Sequence, residues 1–272
     1  MKLKTSLVIR LHGSDAYFCD LEGRVQKKKN FWMEKKGLEA ANHIVSVSDF
    51  TAKKTTEIFD INNKIDIIYN GINIKMFSPT DIAIEENSLL YFGSVIRKKG
   101  VLALAKAFNL LHQKNSNATL TFLGKDVVDV LTRRSTVGMI KEILSEDALQ
   151  SVSFINQVPY HEVKDYLGKA QIVVLPSYAE AFPMTWLEAM AMEKTLVTSN
   201  VGWAKEMMID GKTGYTIDPD DTEEFANRMN ELLLDKEKAR AFGLNAREHV
   251  IEHFEIGKIA TKNINYYRSI VS

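Results

Sequence analysis

Short apolar runs alternate along most of the chain with longer segments in which apolar residues recur at helical spacing. In residues 101–113, for example, apolar side chains recur at i, i+3, i+4 and i+7, which indicates an amphipathic helix. Strands that are apolar along their length, each followed by a helix, are typical of a parallel sheet covered on both faces. We therefore predict an α/β fold with one complete Rossmann-like domain over residues 75–254. Its predicted strands are residues 89–93, 119–124, 152–155, 171–176, 195–198 and 214–217.

Residues 1–74 carry fewer predicted elements than the rest of the chain. Doubly wound sheets usually have about five or six strands, so we interpret this segment as a partial N-terminal Rossmann-like domain whose beginning is absent. Residues 70–79, which include Asn70-Gly71 and Ser78-Pro79, have the turn chemistry of a crossover between domains. Residues 255–272 are predicted to form a C-terminal helix that packs back toward the N-terminal part. The strands predicted in residues 1–74 are 7–11, 44–47 and 65–69, and the helices are 33–42 and 49–59.

The composition is that of an ordinary globular protein, with 45% hydrophobic and 26% charged residues. Lys plus Arg and Asp plus Glu both number 35, so the formal net charge is zero and a nucleic-acid partner is not expected. A local exception is the run of three lysines at residues 27–29, which Phe31 and Trp32 follow. We interpret it as a solvated loop, and contact with anionic lipid headgroups is the alternative.

The sequence also indicates the cellular compartment in which the protein is expected. Cys19 is the only cysteine, so no internal disulfide can form and nothing requires an oxidising environment. No apolar run approaches the roughly 20 residues that span a bilayer, and the first residues lack the pattern of a signal peptide. We therefore expect a cytoplasmic protein, with peripheral contact at the inner face of the membrane as an open alternative.

The most informative stretch is residues 175–192. A buried strand is predicted to end at Pro176, and the following helix, predicted over residues 183–192, is apolar on almost every side except at Glu188. A buried carboxylate is costly unless a hydrogen bond stabilises it. Glu180 lies in the loop before this helix, at the carboxyl end of the strand, where open α/β sheets bind ligands. The free N–H groups of the first helical turn favour a phosphate at the same place.

Glu180 and Glu188 are separated by seven residues on this strand, loop and helix, which resembles the Glu-x7-Glu signature of family 4 glycosyltransferases. The resemblance implies a GT-B fold, in which Glu180 contacts hydroxyls of the transferred sugar and Glu188 holds the ribose hydroxyls of a nucleotide. From the residues alone, the alternative is that Glu180 is an exposed loop residue and Glu188 pairs with an internal Lys or Arg.

A second part of the resemblance lies in residues 92–100, where a predicted strand leads into a glycine-containing loop. Gly93 allows a ligand to approach the backbone closely, and Lys99 presents a compact positive charge suited to a diphosphate. The family commonly has Arg where this chain has Ser94. Either Arg97 supplies the missing guanidinium from a nearby position, or the phosphates are met by one cation.

The loop that contains Glu180 departs from the family pattern at Pro183, where Gly is often found. Proline has no N–H to offer a phosphate or a sugar, so the amides of Met184 and Thr185 are expected to donate instead. Ala181 and Phe182 complete the loop that the resemblance places against the donor.

Weaker matches converge on the same edge of the predicted sheet. Asn156 and Val158 resemble the segment that borders the nucleotide base, and Glu206 matches a glutamate usual after the fifth strand. In the N-terminal part, residues 10–15 resemble a His-Gly segment and imply that His12 contacts the donor sugar or the acceptor, although a lone histidine is more often structural. The resemblance therefore implies catalytic roles for His12, Lys99 and Glu180.

The function that the resemblance implies is transfer of a hexose, with retention, from a UDP- or GDP-sugar to a hydroxyl of a sugar or lipid-linked acceptor, in polysaccharide or glycolipid assembly. No cofactor and no metal are expected: the six histidines and the cysteine lie scattered, and the acidic residues 218–221 are better explained as a cap for a helix beginning near Thr222. Roughly the first hundred residues of the family pattern lack a counterpart. A catalytically incompetent nucleotide-sugar-binding fragment, or one subunit of a split enzyme, therefore remains the alternative, and a GT-B-type epimerase is less favoured.

Overall fold

A computed structural model of the chain describes residues 6–271 and contains two parallel sheets. The first sheet has three strands in the order β1-β2-β3, so β1 and β3 are its edges. The three strands predicted for this part and the helix at 49–59 are confirmed, within a few residues at the strand ends. These elements are β1 Val8–Leu11, α1 Asp15–Leu21, α2 Lys28–Ala40, β2 His43–Ser46, α3 Asp49–Phe59 and β3 Ile65–Ile67.

Two features of this part differ from the prediction. Helix α1 was not predicted: it has only seven residues, and its signal is the N-cap Ser14, whose hydroxyl accepts a hydrogen bond from the Tyr17 N–H. Helix α2 begins at Lys28 and not at residue 33. The lysine run is thus helical from Lys28 onward, and the interpretation of this run as a loop was wrong, although Lys28 and Lys29 are exposed to solvent.

The second sheet has six parallel strands in the order β6-β5-β4-β7-β8-β9. All six predicted strands are present. Their bounds are β4 Ser88–Phe92, β5 Thr119–Leu123, β6 Val152–Ile155, β7 Ile172–Leu175, β8 Thr195–Ser199 and β9 Gly214–Ile217. The helices are α4 Val101–Lys114, α5 Thr136–Ile143, α6 Glu146–Gln150, α7 Val163–Lys169, α8 Met184–Ala191, α9 Ala204–Met207, α10 Thr222–Leu234, α11 Lys236–His253 and α12 Ile256–Val271.

The strand order reverses between β4 and β7. From β4 the chain moves outward to β5 and β6, and it then returns to β7 on the other side of β4 before continuing to β8 and β9. In such sheets the loops that leave the two central strands diverge and open a crevice at their carboxyl ends. The topology therefore places the loop after β4 and the loop after β7 on either side of one crevice.

Aromatic and apolar contacts hold the two sheets together. The ring of Tyr69, two residues after β3, stacks on Phe182 of the β7 loop with 5.4 Å between ring centroids. Helix α12 returns to the first sheet, where Ile259 packs with Val45 and Ile68. Because the β7 loop lies at this contact, its conformation depends on both parts of the chain. In residues 6–271 no helix combines the length and the apolar character needed to cross a membrane.

Candidate active site

Glu180 and Lys99 meet at the crevice between β4 and β7, although 81 positions separate them in the chain. Lys99 ends a single turn of 3₁₀ helix, Arg97–Lys99, after β4, and its ammonium group forms an ion pair with the Glu180 carboxylate. The Ser177 hydroxyl donates to the same carboxylate at 3.1 Å. Glu180 is only 9% exposed, so the alternative of an exposed loop carboxylate was wrong.

Backbone contacts brace the two loops against each other. The Tyr178 N–H donates to the carbonyl oxygen of Lys98 at 2.8 Å. Gly100 has φ +73°, and a Cβ at this position would lie 1.9 Å from the carbonyl oxygen of Pro176. Only glycine therefore allows the β4 loop to approach the β7 loop this closely, and this approach places Lys99 beside Glu180.

Gly93 brings the β4 backbone next to the first turn of α8. It has φ +128°, and a Cβ there would lie 3.9 Å from Cγ2 of Thr185. Helix α8 begins at Met184, so Pro183 is the N-cap residue and not the first helical residue as predicted. No side chain caps this N-terminus. Since the first N–H groups of a helix point out of its N-terminus, the turn retains donors for an anion at the crevice.

Glu188 is buried in α8 and is held by a tyrosine. The Tyr160 hydroxyl donates to Oε1 of Glu188 at 2.6 Å, and none of the ion pairs in residues 6–271 involves this carboxylate. Pairing with an internal Lys or Arg, the alternative drawn from the sequence, was therefore wrong. Burial raises the pKa of Glu188, and the hydrogen bond from Tyr160 partly offsets that rise.

Tyr160 was not recognised in the sequence. It follows the segment predicted to border a base, in which Asn156 is exposed and Val158 packs against the core. Its position one residue after Pro159 is the available signal, because proline fixes the direction of the chain there. Tyr160 therefore connects the loop after β6 to Glu188.

Arg97 is turned away from Lys99. Its guanidinium forms two hydrogen bonds with the carboxylate of Asp129, at 2.8 and 2.9 Å, and Asp129 is completely buried. The pairing raises the pKa of Arg97 and lowers that of Asp129. The main chain of Ser94 accepts a hydrogen bond from the Tyr91 hydroxyl at 2.7 Å. Arg97 is therefore paired with Asp129 in this structure, and Lys99 pairs with Glu180.

His12 takes part in none of the hydrogen bonds described above. It follows β1 and is exposed to solvent, and partial desolvation together with the nearby Arg10 lowers its pKa. Among the described residues, no hydrogen bond or ion pair connects it to Lys99 or Glu180. From the same part of the chain, Tyr17 does reach the β7 loop, where its hydroxyl donates to the carbonyl oxygen of Glu180 at 2.5 Å.

The acidic residues 218–221 are used within the fold. The Asp221 carboxylate accepts the Glu224 N–H at 3.0 Å and caps α10, as predicted. Asp220 accepts a hydrogen bond from the Tyr178 hydroxyl at 2.6 Å. In the described part of the chain, no group of three or more His, Cys, Asp or Glu side chains is placed to hold a metal ion.

Two family models together match nearly the whole chain. The one described as Glycosyl transferases group 1 matches residues 74–249, and the one described as Glycosyltransferase Family 4 matches residues 1–75. Among curated proteins, the alpha-maltose-1-phosphate synthase of Mycolicibacterium smegmatis is 27% identical over 260 residues, which cover 88% of this chain and 66% of that protein.

Solved structures share the same arrangement of sheets. Sucrose-phosphate synthase from Thermosynechococcus elongatus superposes with a TM-score of 0.83 at 24% identity, over 99% of this chain and 69% of that one. Anabaena Alr3699/HepE in complex with UDP and glucose gives a TM-score of 0.82 at 19% identity, over 98% and 72%. The chain thus spans about two thirds of the length of these proteins.

Proposed function

Because this chain belongs to the glycosyl transferases group 1 family, we propose that it binds a nucleoside diphosphate sugar between β4 and β7 and transfers the sugar to an acceptor hydroxyl. Family membership also agrees with the predicted GT-B fold, which the parallel sheets and the structural neighbours confirm. We extend the proposal to a hexose donor, to retention of the anomeric configuration, and to a sugar or lipid-linked acceptor, as the resemblance implies.

The observation that carries the proposal is the ion pair between Lys99 and Glu180 at the strand-order reversal. A charged pair of low exposure, at the position where such sheets bind ligands and next to an uncapped helix N-terminus, is suited to an anionic ligand that carries hydroxyl groups. The pair also keeps both charged side chains at the crevice before the ligand arrives.

Each side chain has a separate task in the proposed reaction. Lys99 and the first-turn amides of α8 bind the diphosphate, and they stabilise the negative charge that grows on it as the glycosidic bond breaks. The diphosphate then replaces Glu180 as the partner of Lys99. Glu180 is thereby free to accept hydrogen bonds from the hydroxyls of the sugar and to hold its reacting carbon toward the acceptor.

Glu188 binds the ribose. Tyr160 occupies Oε1 of its carboxylate, and an ionised carboxylate has further acceptor sites on its other oxygen. A ribose hydroxyl that donates there would compensate part of the cost of burying this charge. The proposal of a uridine nucleotide is supported by the UDP complex of the Anabaena protein, and a guanosine nucleotide is tested beside it.

Calorimetric titration with UDP, GDP and their glucose conjugates tests the proposal, with Lys99→Met as the variant. Lys262→Met on α12, where the lysine is exposed and far along the chain from the site, is the matched control. We expect one nucleotide to bind the wild type and the control equally, and to bind Lys99→Met at least about tenfold more weakly. If neither nucleotide binds the wild type at millimolar concentration, the proposal fails.

Turnover is measured separately, as release of the nucleoside diphosphate from the donor with and without simple sugar acceptors. Release that depends on an acceptor supports transfer by this chain. Binding without release supports instead the alternative that the chain holds the donor and does not transfer the sugar by itself.

A further inference from the structure

Three hydroxyl groups from the part of the chain that carries the first sheet point at two consecutive carbonyls of the β7 loop. The Tyr17 hydroxyl donates to the carbonyl oxygen of Glu180 at 2.5 Å. Ser48 and Thr51 place their hydroxyls 2.9 and 3.1 Å from the carbonyl oxygen of Ala181. The three side chains are completely buried, and the Ser48 and Thr51 hydroxyls also lie 2.8 Å from each other. The hydroxyls therefore form one buried cluster in which the two carbonyls are the acceptors from the β7 loop.

The hydroxyls belong to elements that cannot easily shift. Ser48 is the N-cap of α3, where its hydroxyl accepts the Thr51 N–H at 3.0 Å, and its carbonyl accepts a bond from the Ser46 hydroxyl at 2.8 Å. Tyr17 lies in α1, and its ring makes edge contacts with Phe18 and Phe50. Burial raises the pKa of Tyr17, so its hydroxyl stays protonated and able to donate at neutral pH.

A carboxylate from the second half of the chain holds α3 in this position. The Glu206 carboxylate accepts the N–H groups of Asp49 and Phe50 at 2.7 and 2.9 Å, at the N-terminus of α3 where a negative charge is stabilising. Gly202 admits the ring of Phe50, since a Cβ at that glycine would lie 2.0 Å from the ring. The role of Glu206 in this structure is therefore to join α3 to the second sheet.

These contacts lie at the sugar end of the proposed donor site. They reach the carbonyls of Glu180 and Ala181, next to the carboxylate that is proposed to bind the sugar. The partner of Glu188 in this structure is Tyr160, from the second half of the chain. Loss of the hydroxyl of Tyr17, Ser48 or Thr51 should therefore loosen the sugar end of the site and leave the nucleotide end unchanged.

We propose that Tyr17, Ser48 and Thr51 are positioning residues that hold the Glu180–Ala181 backbone so that the Glu180 carboxylate faces the donor sugar. The inference rests on the proposed function and deepens it: sugar recognition, as distinct from nucleotide recognition, depends on contact between the β7 loop and the part of the chain that carries the first sheet.

The experiment compares Tyr17→Phe with Tyr215→Phe. Both changes remove one hydroxyl from a tyrosine that is largely buried, and the hydroxyl of Tyr215 bonds to Glu231, away from the β7 loop. Affinity for UDP and for UDP-glucose is measured by calorimetry, and donor cleavage by UDP release; GDP and GDP-glucose replace them if the wild type prefers GDP. Tyr17→Phe should weaken UDP-glucose binding about three- to tenfold and leave UDP binding within about twofold of wild type. Tyr215→Phe should change neither.

Ser48 provides a second test with a conservative rescue. Ser48→Ala removes both the contact with Ala181 and the cap of α3, whereas Ser48→Thr keeps a hydroxyl at the same atom. We expect the alanine variant to lose the preference for UDP-glucose over UDP and the threonine variant to keep it. Equal weakening of both ligands in Tyr17→Phe and Ser48→Ala, or no change in either ligand, would overturn the inference.

Amide hydrogen exchange without ligand separates this inference from the proposed function. If the hydroxyls hold the loop, exchange at residues 177–182 should rise in Tyr17→Phe and Ser48→Ala but not in Tyr215→Phe. If the wild type binds no nucleotide but exchange at these residues rises in the two variants, the proposed function is refuted, whereas the stabilisation of the loop by the hydroxyls is supported. Unchanged exchange would refute the hold on the loop, whatever the protein binds.

Discussion

The ion pair between Lys99 and Glu180 can be tested by its effect on stability before any ligand is identified. Lys99→Met keeps most of the apolar length of the side chain and removes its charge. The Glu180 carboxylate then keeps the hydrogen bond from Ser177 but loses its cation, in a loop where only 11% of its side chain is exposed. A carboxylate with low exposure and no cation is the unfavourable product of this change.

The expected cost lies between two limits. An exposed ion pair contributes at most about 1 kcal/mol, whereas removal of one partner from a fully buried pair costs about 3–5 kcal/mol. Since the two side chains are 22% and 11% exposed, we expect Lys99→Met to lower the free energy of unfolding by about 2–3 kcal/mol. In a domain of this size that corresponds to about 5–10 °C in Tm.

The complementary variant Glu180→Gln should cost less, about 1 kcal/mol, because the ammonium group of Lys99 is more exposed and can turn to water. In the double variant no carboxylate remains to be left without a cation, so it should be only slightly less stable than Glu180→Gln. A double-mutant cycle by urea unfolding should therefore give a coupling energy of about 2 kcal/mol. Strictly additive effects, with coupling below about 0.5 kcal/mol, would refute the reasoning.

Three further predictions follow from single contacts. Tyr160→Phe removes the hydrogen bond that offsets burial and raises the pKa of Glu188 further, so nucleotide affinity measured by calorimetry should fall more steeply than in wild type as the pH is lowered from neutral. Burial lowers the pKa of Lys194 to about 8, so the folded protein loses this proton before the unfolded chain does, and stability rises with pH. The free energy of unfolding of the wild type should rise by up to about 3 kcal/mol between about pH 8 and pH 10.5, and Lys194→Met should not show this rise. Gly100→Ala should cost more than about 3 kcal/mol in thermal unfolding, because its Cβ would overlap a carbonyl oxygen of the β7 loop, whereas Gly211→Ala, with similar φ and open space, should cost about 1 kcal/mol. Equal costs in the two alanine variants would contradict this explanation.

The sequence by itself was sufficient to predict the order and the type of most secondary-structure elements. Strand β6 Val152–Ile155, strand β9 Gly214–Ile217 and helix α3 Asp49–Phe59 have the predicted bounds. Apolar residues recur at period 2 or 3.6 because of local backbone geometry, so the pattern is visible in a single segment. Where the local signal is weak, as in the seven residues of α1 or the polar start of α2, the prediction failed.

The meeting of Lys99 with Glu180 could be anticipated in part, because parallel strands bring their carboxyl ends to one edge. The partners of the other site residues could not. Arg97 pairs with Asp129, and Glu188 accepts its hydrogen bond from Tyr160.

In each of these cases the partner lies on a different loop, and its distance depends on strand order and on how the two sheets pack. The hydroxyl contact from Tyr17 to the β7 loop spans 163 positions and crosses between the sheets. A residue pattern reports the conformation of its own segment, whereas such contacts arise only after remote segments are packed together. The tertiary structure therefore decided which side chains are paired, buried or available to a ligand.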